Sequence, residues 1–226
     1  MTEAVITPAN DPDSPSADEL VAFFALDEAP CVPVDSYYDI LAQMIKNKTR
    51  NWVAFGVGWN RTFQELNRVR NRYTHSNALF AFDWWEGLPE DWRPGYPQGT
   101  FRIPRERVIN WYRHDDSVIF HEGLFADTIT AAVVDQIGAP ALIHIDCDLY
   151  ASTKMVLERC PPVPGTLLLF DEFYSPAGEW DWTEHEARAF YEFCQHRQVK
   201  FRTLMRRDVA AGPLSEQVAF LVQDVD

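Results

Sequence analysis

Four carboxylates follow two short apolar runs of this 226-residue chain. The run 141–145 is followed by Asp146 and Asp148, and the run 166–170 is followed by Asp171 and Glu172. Apolar runs of this length are typical of strands buried on both faces of a parallel sheet. Ligands of such sheets bind outside the carboxyl ends of the strands, so we expect the four side chains to surround one crevice.

Carboxylates brought together in this way repel one another unless a cation neutralises them. An all-oxygen ligand set favours Mg²⁺, Mn²⁺ or Ca²⁺ over zinc. A helix cap is the ordinary alternative for a single aspartate, and Asp148 precedes a predicted helix at 152–159. Two doubled carboxylates after two successive strands are harder to explain by capping, so a shared metal or catalytic site is the favoured interpretation.

A turn with two glycines follows the first predicted strand. Gly56 and Gly58 lie at the end of the run 52–57 and before a predicted helix at 62–73. Glycine lets backbone approach a ligand closely, and a helix N-terminus can hold a negative group. A tight turn without a ligand explains the glycines equally well, because their spacing matches neither a Walker motif nor GxGxxG. Asp83 ends the next strand, where nucleotide-binding folds place an acid against ribose hydroxyls, so together these positions favour a cofactor with a nucleoside.

Strands and helices alternate along the chain from residue 34. The alternation predicts βαβ units and a mostly parallel sheet of seven strands. The last two strands, joined through 208–213, are predicted to form an antiparallel hairpin at one edge. The predicted strands are 52–57, 78–82, 118–121, 141–145, 166–170, 199–205 and 217–222, and the predicted helices are 36–46, 62–73, 105–112, 127–137, 152–159 and 184–196.

Residues 1–33 differ from the rest of the chain in composition. They are rich in Pro, Asp, Ser and Ala, which predicts a mobile tail, yet Leu20, Val21, Phe23 and Phe24 are too apolar for pure disorder. A lid that closes over a site and a contact in a homo-oligomer both account for such a segment. We therefore predict a mobile N-terminal tail or lid at 1–33 and one domain at 34–226.

Composition narrows the class of protein. The net charge of −14 argues against nucleic-acid and anionic-membrane partners. No apolar run approaches the ~20 residues that a membrane-spanning helix needs, and the N-terminus has no signal-peptide pattern. The four cysteines lack CxxC pairing, which indicates reduced thiols in a cytoplasmic protein. These features suit a metal-dependent enzyme that acts on small molecules.

Several segments, in order, resemble one protein family. They are FGV at 55–57, FDWWEGLPE at 82–90, HEGLFADT at 121–128, IDCDLYASTK at 145–154 and FDEF at 170–173. This pattern resembles the macrocin O-methyltransferase (TylF-like) family of class I S-adenosylmethionine methyltransferases over roughly 53–193. The resemblance implies a Rossmann-like, doubly wound α/β fold for 34–226. It also implies metal-dependent methylation of a small-molecule acceptor, with a sugar hydroxyl of a natural product as the acceptor group.

The resemblance implies a metal centre at the matching carboxylates. Asp146, Asp171 and Glu172 would hold Mg²⁺, with Glu172 standing where relatives often have Asp. Asp148 would be the general base or a further ligand. An alcohol is a poor nucleophile at neutral pH, and coordination to Mg²⁺ lowers its pKa and positions it for methyl transfer.

The resemblance also implies a cofactor site. Gly56 and Asp83 would contact S-adenosylmethionine, and the backbone around Gly123 would lie near its adenine. The chain departs from the family at two positions. Ala54 stands where the family commonly has Glu, which bears on cofactor affinity, and Asn60 takes the place of a second glycine, where Asn tolerates left-handed backbone better than most residues.

Three histidines are rivals of Asp148 as the base. His144 lies inside a buried run, so we expect a core histidine with its hydrogen bonds satisfied. His185 follows an acidic loop, where it is better placed to meet a substrate, and His121 ends a strand. Five tryptophans in loops after strands either stack on a sugar or cofactor or pack within the loops: Trp84, Trp85, Trp92, Trp180 and Trp182.

Two other functions stay open at this point. Asp146 and Asp148 form a DxD motif after an apolar strand, as in metal-dependent glycosyltransferases that use nucleotide sugars. That alternative leaves Asp171, Glu172 and the glycine turn unexplained. A methyltransferase-like binding protein that has lost its activity is the other alternative, since Ala54 replaces an acid, although all four carboxylates are retained.

Overall fold

The structure, a computed structural model, describes residues 14–46, 49–73, 77–175, 180–208 and 216–225. The strands are β1 (Cys31–Pro33), β2 (Trp52–Phe55), β3 (Leu79–Asp83), β4 (Val118–Glu122), β5 (Leu142–Ile145), β6 (Leu167–Tyr174), β7 (Lys200–Asp208) and β8 (Glu216–Asp224). The helices are α1 (Ala17–Phe24), α2 (Val34–Ile45), α3 (Arg61–Tyr73), α4 (Arg105–Tyr112), α5 (Phe125–Thr128), α6 (Ala131–Ile137), α7 (Tyr150–Arg159) and α8 (Glu186–Arg197), with a 3₁₀ turn at Trp182–Glu184.

The strands form one sheet in the order β1-β7-β8-β6-β5-β2-β3-β4. β8 is antiparallel to both of its neighbours, β6 and β7, and the other pairs are parallel. The doubly wound, mostly parallel α/β sheet with an antiparallel C-terminal strand is therefore confirmed. The hairpin does not lie at the edge as predicted, because β8 is inserted between β6 and β7 and β1 covers the outer side of β7. The connection at 209–215 lies outside the described residues.

The segment predicted as a mobile tail or lid, 1–33, is described from residue 14 onward. Ser16 and Glu19 form a capping box at the start of α1, and Leu20 and Phe24 of this helix are fully buried. β1 then adds an eighth strand, parallel to β7, at the edge of the sheet. In this structure residues 14–33 pack on the core, because burial of apolar side chains offsets the entropy lost on ordering them. A closing motion of this segment stays a prediction.

Both faces of the sheet are covered, as continuously apolar strands require. Val53 and Phe55 of β2 belong to one apolar cluster, and Trp52 and Ala54 belong to the other, because alternate side chains of a strand point to opposite faces. Among the described residues no helix is long and apolar enough to cross a membrane. Three of the four cysteines are buried: Cys147, Cys160 and Cys194.

Two local differences from the predicted elements bear on the site. β6 continues to Tyr174, so Asp171 and Glu172 are part of the strand and do not follow it. The pairing of β6 with β8 is irregular between Phe170 and Tyr174, at the position of the two acids. The predicted helix at 127–137 is divided into α5 and α6. The backbone of Thr130 is extended, so the helix cannot continue through it, and the Thr130 side chain caps the start of α6.

The register of the central strands aligns their carboxyl ends. Phe55 of β2 lies opposite Ile145 of β5, and Ile145 lies opposite Phe170 of β6. The chain continues from β2 to β3 on one side, while β5 and β6 lie on the other, so the strand order reverses between β2 and β5. Such a reversal opens a crevice outside the strand ends, which is where open α/β sheets bind ligands. Gly56, Asp146 and Asp171 are the residues next to these aligned positions, so all three lie at this edge.

Candidate active site

The ends of β2 and β5 approach each other closely at Gly56. The N–H of Asp146 donates a hydrogen bond to the carbonyl of Phe55 at 2.9 Å. Gly56 has a φ of +86°, and a Cβ on it would overlap the backbone oxygen of Asp146. A glycine is required here both for its left-handed backbone and for the space. The contact fixes the glycine turn beside the first of the four carboxylates.

The side chain of Asp83 holds the glycine turn in place. Its Oδ2 accepts hydrogen bonds from the backbone N–H groups of Val57, at 2.9 Å, and Gly58, at 3.0 Å. Its Oδ1 accepts a third from the N–H of Trp85 at 2.8 Å. A carboxylate oxygen can accept more than one hydrogen bond, so Asp83 can brace the turn and still face a ligand hydroxyl.

Two residues at this turn depart from the family pattern. Asn60 has a φ of +68°, so it takes the left-handed backbone that a glycine would provide, as expected. The hydroxyl of Tyr112 donates to its side-chain oxygen at 2.7 Å, which stabilises the turn further. Ala54 is fully buried in β2 and lies opposite His144 of β5 in the sheet register.

The structure brings the four predicted carboxylates together. Carboxylate oxygens of Asp146, Asp148 and Glu172 lie within 4.8 Å of one another. A second group, which shares Asp146, adds Asp171 and a ring nitrogen of His144 within the same distance. One oxygen of Asp171 and one of Glu172 are buried and have no hydrogen-bond partner among the described residues. Converging buried oxygens without donors are the arrangement that a cation stabilises.

Burial raises the pKa of several of these acids. Desolvation, followed by the charge of Asp171, holds the pKa of Asp146 and that of Glu172 well above the usual range. The same two causes raise the pKa of Asp148 to about 7, although the positive charge of Arg93 opposes them. Asp148 is only 8% exposed and has a φ of +60°. Its carboxylate is therefore directed into the cluster by a backbone conformation that Asp tolerates better than most residues.

Arg93, in the loop after β3, is held by aromatic rings. Its guanidinium carbon lies 4.0 Å from the ring centre of Trp92, 4.5 Å from that of Tyr96 and 4.6 Å from that of Trp180. Cation–π contacts of this kind stabilise a guanidinium that has left water. Arg93 was not among the predicted site residues, because an arginine in a long loop carries no local signal of its partners.

Glu186, the first residue of α8, is a second site residue that was not predicted from the sequence. Its side chain is fully buried, and its Oε1 accepts the backbone N–H of Cys147 at 3.1 Å. Glu186 therefore fixes the backbone segment between Asp146 and Asp148. An acid in the first turn of a helix is common, so the sequence pattern alone does not distinguish it.

The three candidate histidines occupy different environments. His144 is 2% exposed, but both of its ring nitrogens lack a hydrogen-bond partner among the described residues, so the expectation of a satisfied core histidine is wrong. His185 packs against the rings of Trp92 and Trp180, and burial lowers its pKa to about 4. His121 stacks on Phe82 at the end of β4, and burial lowers its pKa.

One cavity of about 570 Å³ lies over the strand ends. Eight of the nine predicted site residues line it, and they are Gly56, Gly58, Asp83, Gly123, Asp146, Asp148, Asp171 and Glu172. His185 is not among its lining residues. Of the loop tryptophans, Trp84 lines the cavity, whereas Trp85, Trp92 and Trp182 are buried within the surrounding loops. The volume lies within the range of pockets that bind cofactors and small molecules.

Several solved structures share this fold. The calicheamicin methyltransferase CalS11 matches with a TM-score of 0.60 and 20% identity, over 81% of this chain and 76% of that one. The O-methyltransferase NovP matches with a TM-score of 0.61 and 18% identity, over 82% of this chain and 78% of that one. An O-methyltransferase from Bacillus cereus, solved with SAH, matches with a TM-score of 0.55 and 14% identity, over 91% and 90%.

Sequence comparison identifies relatives as well. The chain is 31% identical over 114 residues to the 8-demethyl-8-(2,3-dimethoxy-alpha-L-rhamnosyl)-tetracenomycin-C 4'-O-methyltransferase of Streptomyces olivaceus. The match covers 43% of this chain and 42% of that relative, so it spans less than half of the relative's length. The family profile described as Macrocin-O-methyltransferase (TylF) matches residues 69–200, which is more than half of the chain. The chain therefore belongs to the macrocin O-methyltransferase (TylF) family.

Proposed function

We propose that this protein transfers the methyl group of S-adenosylmethionine to a hydroxyl group of a small-molecule acceptor, with a divalent cation held by its carboxylates. The observation that carries the proposal is that one cavity is lined both by the glycine turn with Asp83 and by the four-carboxylate cluster. A methyl donor and an acceptor hydroxyl that occupy these two halves would meet within one enclosed space. Such proximity is the main requirement of a one-step group transfer.

The cofactor half of the cavity consists of Gly56, Gly58, Asp83 and Gly123. Asp83 is already oriented by three backbone N–H groups, so little side-chain freedom is lost when it accepts ribose hydroxyls. Gly123 follows β4, and its N–H donates a hydrogen bond to the carbonyl of Asp83 at 3.0 Å. This hydrogen bond joins the carboxyl ends of β3 and β4 in the cofactor half of the cavity. The solved relative from Bacillus cereus contains SAH, the demethylated form of this cofactor, which supports the proposal.

The carboxylate half fits a divalent cation. Asp146, Asp171 and Glu172 would hold it. Asp146 lies within 4.8 Å of Glu172 in one group of ligand atoms and of Asp171 in the other, and the unpartnered oxygens of Asp171 and Glu172 would gain a positive partner. The raised pKa of Asp146 and of Glu172 has the same origin, because their charged forms are desolvated and face other acids. When bound, Mg²⁺ or a similar cation lowers the pKa of an acceptor hydroxyl and holds it in place.

Asp148 is the residue that we assign as the general base. It is buried beside the metal ligands, and its carboxylate can accept the proton that the acceptor hydroxyl loses. Arg93 favours its charged form, which is the form that accepts a proton. Glu186 accepts a hydrogen bond from the N–H of Cys147, the residue before Asp148, and so helps to hold the base in position.

The acceptor that we propose is a sugar hydroxyl of a glycosylated natural product. The relative from Streptomyces olivaceus is named for methylation of a rhamnosyl group, which supports this class. Among the described lining residues Arg61 is the one basic residue, whereas six are acidic: Asp83, Glu90, Asp146, Asp148, Asp171 and Glu172. This excess of negative charge disfavours a phosphorylated acceptor. A cytoplasmic location, a possible homo-oligomer and the absence of nucleic-acid and membrane partners stay predictions.

Calorimetry with two ligands tests the cofactor assignment. S-adenosylmethionine should bind, and a nucleoside diphosphate sugar should not. The reverse result would favour the DxD glycosyltransferase alternative, and binding of neither would favour a protein that has lost its activity. Transfer of labelled methyl groups to glycosides should then stop in EDTA and in Asp146→Ala. Glu90→Gln is the matched control, since Glu90 lines the cavity outside the cluster. Full activity in EDTA would refute the metal requirement.

A further inference from the structure

His144 is a buried side chain for which the fold provides no hydrogen-bond partner. It is 2% exposed, and neither Nδ1 nor Nε2 has a partner among the described residues. His144 lies in β5, and its neighbours in the sheet register are Ala54 of β2 and Leu169 of β6. Neither of these side chains can donate or accept a hydrogen bond. A buried polar group without a partner costs about 1–3 kcal/mol, so its retention at this position requires an explanation.

The ring of His144 is directed toward the carboxylate cluster. Nε2 lies 3.6 Å from Oδ1 of Asp171, and this oxygen also lacks a hydrogen-bond partner among the described residues. A nitrogen of His144 and oxygens of Asp146 and Asp171 all lie within 4.8 Å of one another. Two ligand atoms that each lie about 2.1 Å from one ion are at most about 4.2 Å apart. The separation of 3.6 Å is therefore too long for a good hydrogen bond but fits two atoms that share an ion.

We propose that His144 supplies a nitrogen ligand to the metal centre, so that the site prefers a first-row transition ion such as Mn²⁺ over Mg²⁺. The inference rests on the metal site of the proposed function and adds a donor that its carboxylate ligands do not include. Imidazole nitrogen is a better ligand for transition ions than for Mg²⁺, which favours oxygen. An ion at this position would also give a partner to the orphaned atoms of both His144 and Asp171.

Mn²⁺ is the probe that tests this proposal, because its electron spin reports the nuclei bound to it. The full chain is freed of metal, loaded with Mn²⁺ and examined by pulsed electron paramagnetic resonance for ¹⁴N coupling. The expected result is a ¹⁴N coupling that changes to a ¹⁵N coupling when the protein is made with ¹⁵N-labelled histidine. This measurement uses the unmutated chain, so it does not depend on the folding of any variant.

The variant His144→Leu should fold, because it replaces two unpartnered nitrogens with an apolar side chain. It should lose the nitrogen coupling and bind Mn²⁺ at least about tenfold more weakly, since even outer partners of metal ligands change affinity by that factor. Its affinity for Mg²⁺ should fall less, so the ratio of the two affinities should decrease. His121→Leu is the matched control, and this variant should keep the coupling. His121 also has a buried ring nitrogen with no hydrogen-bond partner in the part of the chain that the structure describes, but it lies outside both metal groups.

Mn²⁺ bound without nitrogen coupling would overturn the assignment of His144 and leave the all-oxygen site of the proposed function intact. Failure of the unmutated chain to bind Mn²⁺ and Mg²⁺ would overturn both the nitrogen ligand and the metal part of the proposed function. Calorimetry with S-adenosylmethionine on the same samples separates these outcomes from failure of the cofactor assignment.

Discussion

Replacing Asp148 with Asn should stabilise the metal-free protein at neutral and alkaline pH. The pKa of Asp148 is raised from 3.8 to about 7, mainly by burial and then by the charge of Asp171. A carboxyl whose folded pKa lies above its unfolded pKa binds its proton more tightly in the folded state. The free energy of unfolding therefore falls as the pH rises from about 4 to about 7 and levels off above that range. Asn has the same shape and tolerates the left-handed backbone of this position.

The size of the effect follows from the pKa difference. A rise from 3.8 to about 7 corresponds to about 4 kcal/mol of lost stability once the pH exceeds both values. This is a large part of the roughly 5–15 kcal/mol that stabilises a typical domain. In EDTA at pH 8, Asp148→Asn should thus be more stable than the unmutated chain by up to about 4 kcal/mol. At pH 4 the two proteins should differ little, because the carboxyl is then mostly protonated in the folded state.

Urea unfolding in EDTA across pH 4–8 measures this difference. Asp135→Asn on the exposed side of α6 is the control, and it should change stability by less than about 0.5 kcal/mol at any pH. Saturating Mn²⁺ should reduce the advantage of Asp148→Asn, since a cation favours the charged carboxylate that only the unmutated protein has. A variant that is less stable than the unmutated chain at pH 8, or a difference that does not change with pH, would refute the reasoning.

Three further outcomes are expected. Gly56→Ala should destabilise the fold by more than about 1–2 kcal/mol, which is the cost of the left-handed backbone alone, because the added Cβ also overlaps Asp146. Chemical unfolding measures this change, and a neutral effect would contradict it. Asp83→Ala should weaken S-adenosylmethionine binding by about 1.5–3 kcal/mol in calorimetry, and unchanged affinity would remove Asp83 from the cofactor site. At saturating metal, Asp148→Asn should slow methyl transfer by about 10²–10⁴. His185→Gln should not slow it, because His185 is not among the residues that line the cavity. A large loss of rate in His185→Gln but not in Asp148→Asn would make His185 the base.

Local pattern was sufficient for most of the sheet and most of the site. A strand buried on both faces must be apolar throughout, so the runs before Asp146 and Asp171 could be recognised from sequence. Parallel strands end at one edge, so the carboxylates and the glycine turn could be grouped without coordinates. These inferences succeeded because each strand is recognised from adjacent residues, and the parallel arrangement of the sheet then places the strand ends at one edge.

The tertiary structure decided what depends on packing between distant segments. His144 looked like a satisfied core residue, and only the structure shows that neither ring nitrogen has a hydrogen-bond partner among the described residues. Arg93 and Glu186 carry no distinctive local pattern. The charge of Arg93, which lies among aromatic rings, opposes the rise in the pKa of Asp148, and Glu186 accepts a hydrogen bond from the backbone N–H of Cys147. Helix α1 was predicted as part of a mobile tail because residues 1–33 are rich in Pro, Asp, Ser and Ala. The apolar side chains of α1 find a complementary surface on the core, and the free energy of that burial depends on a surface formed by other parts of the chain.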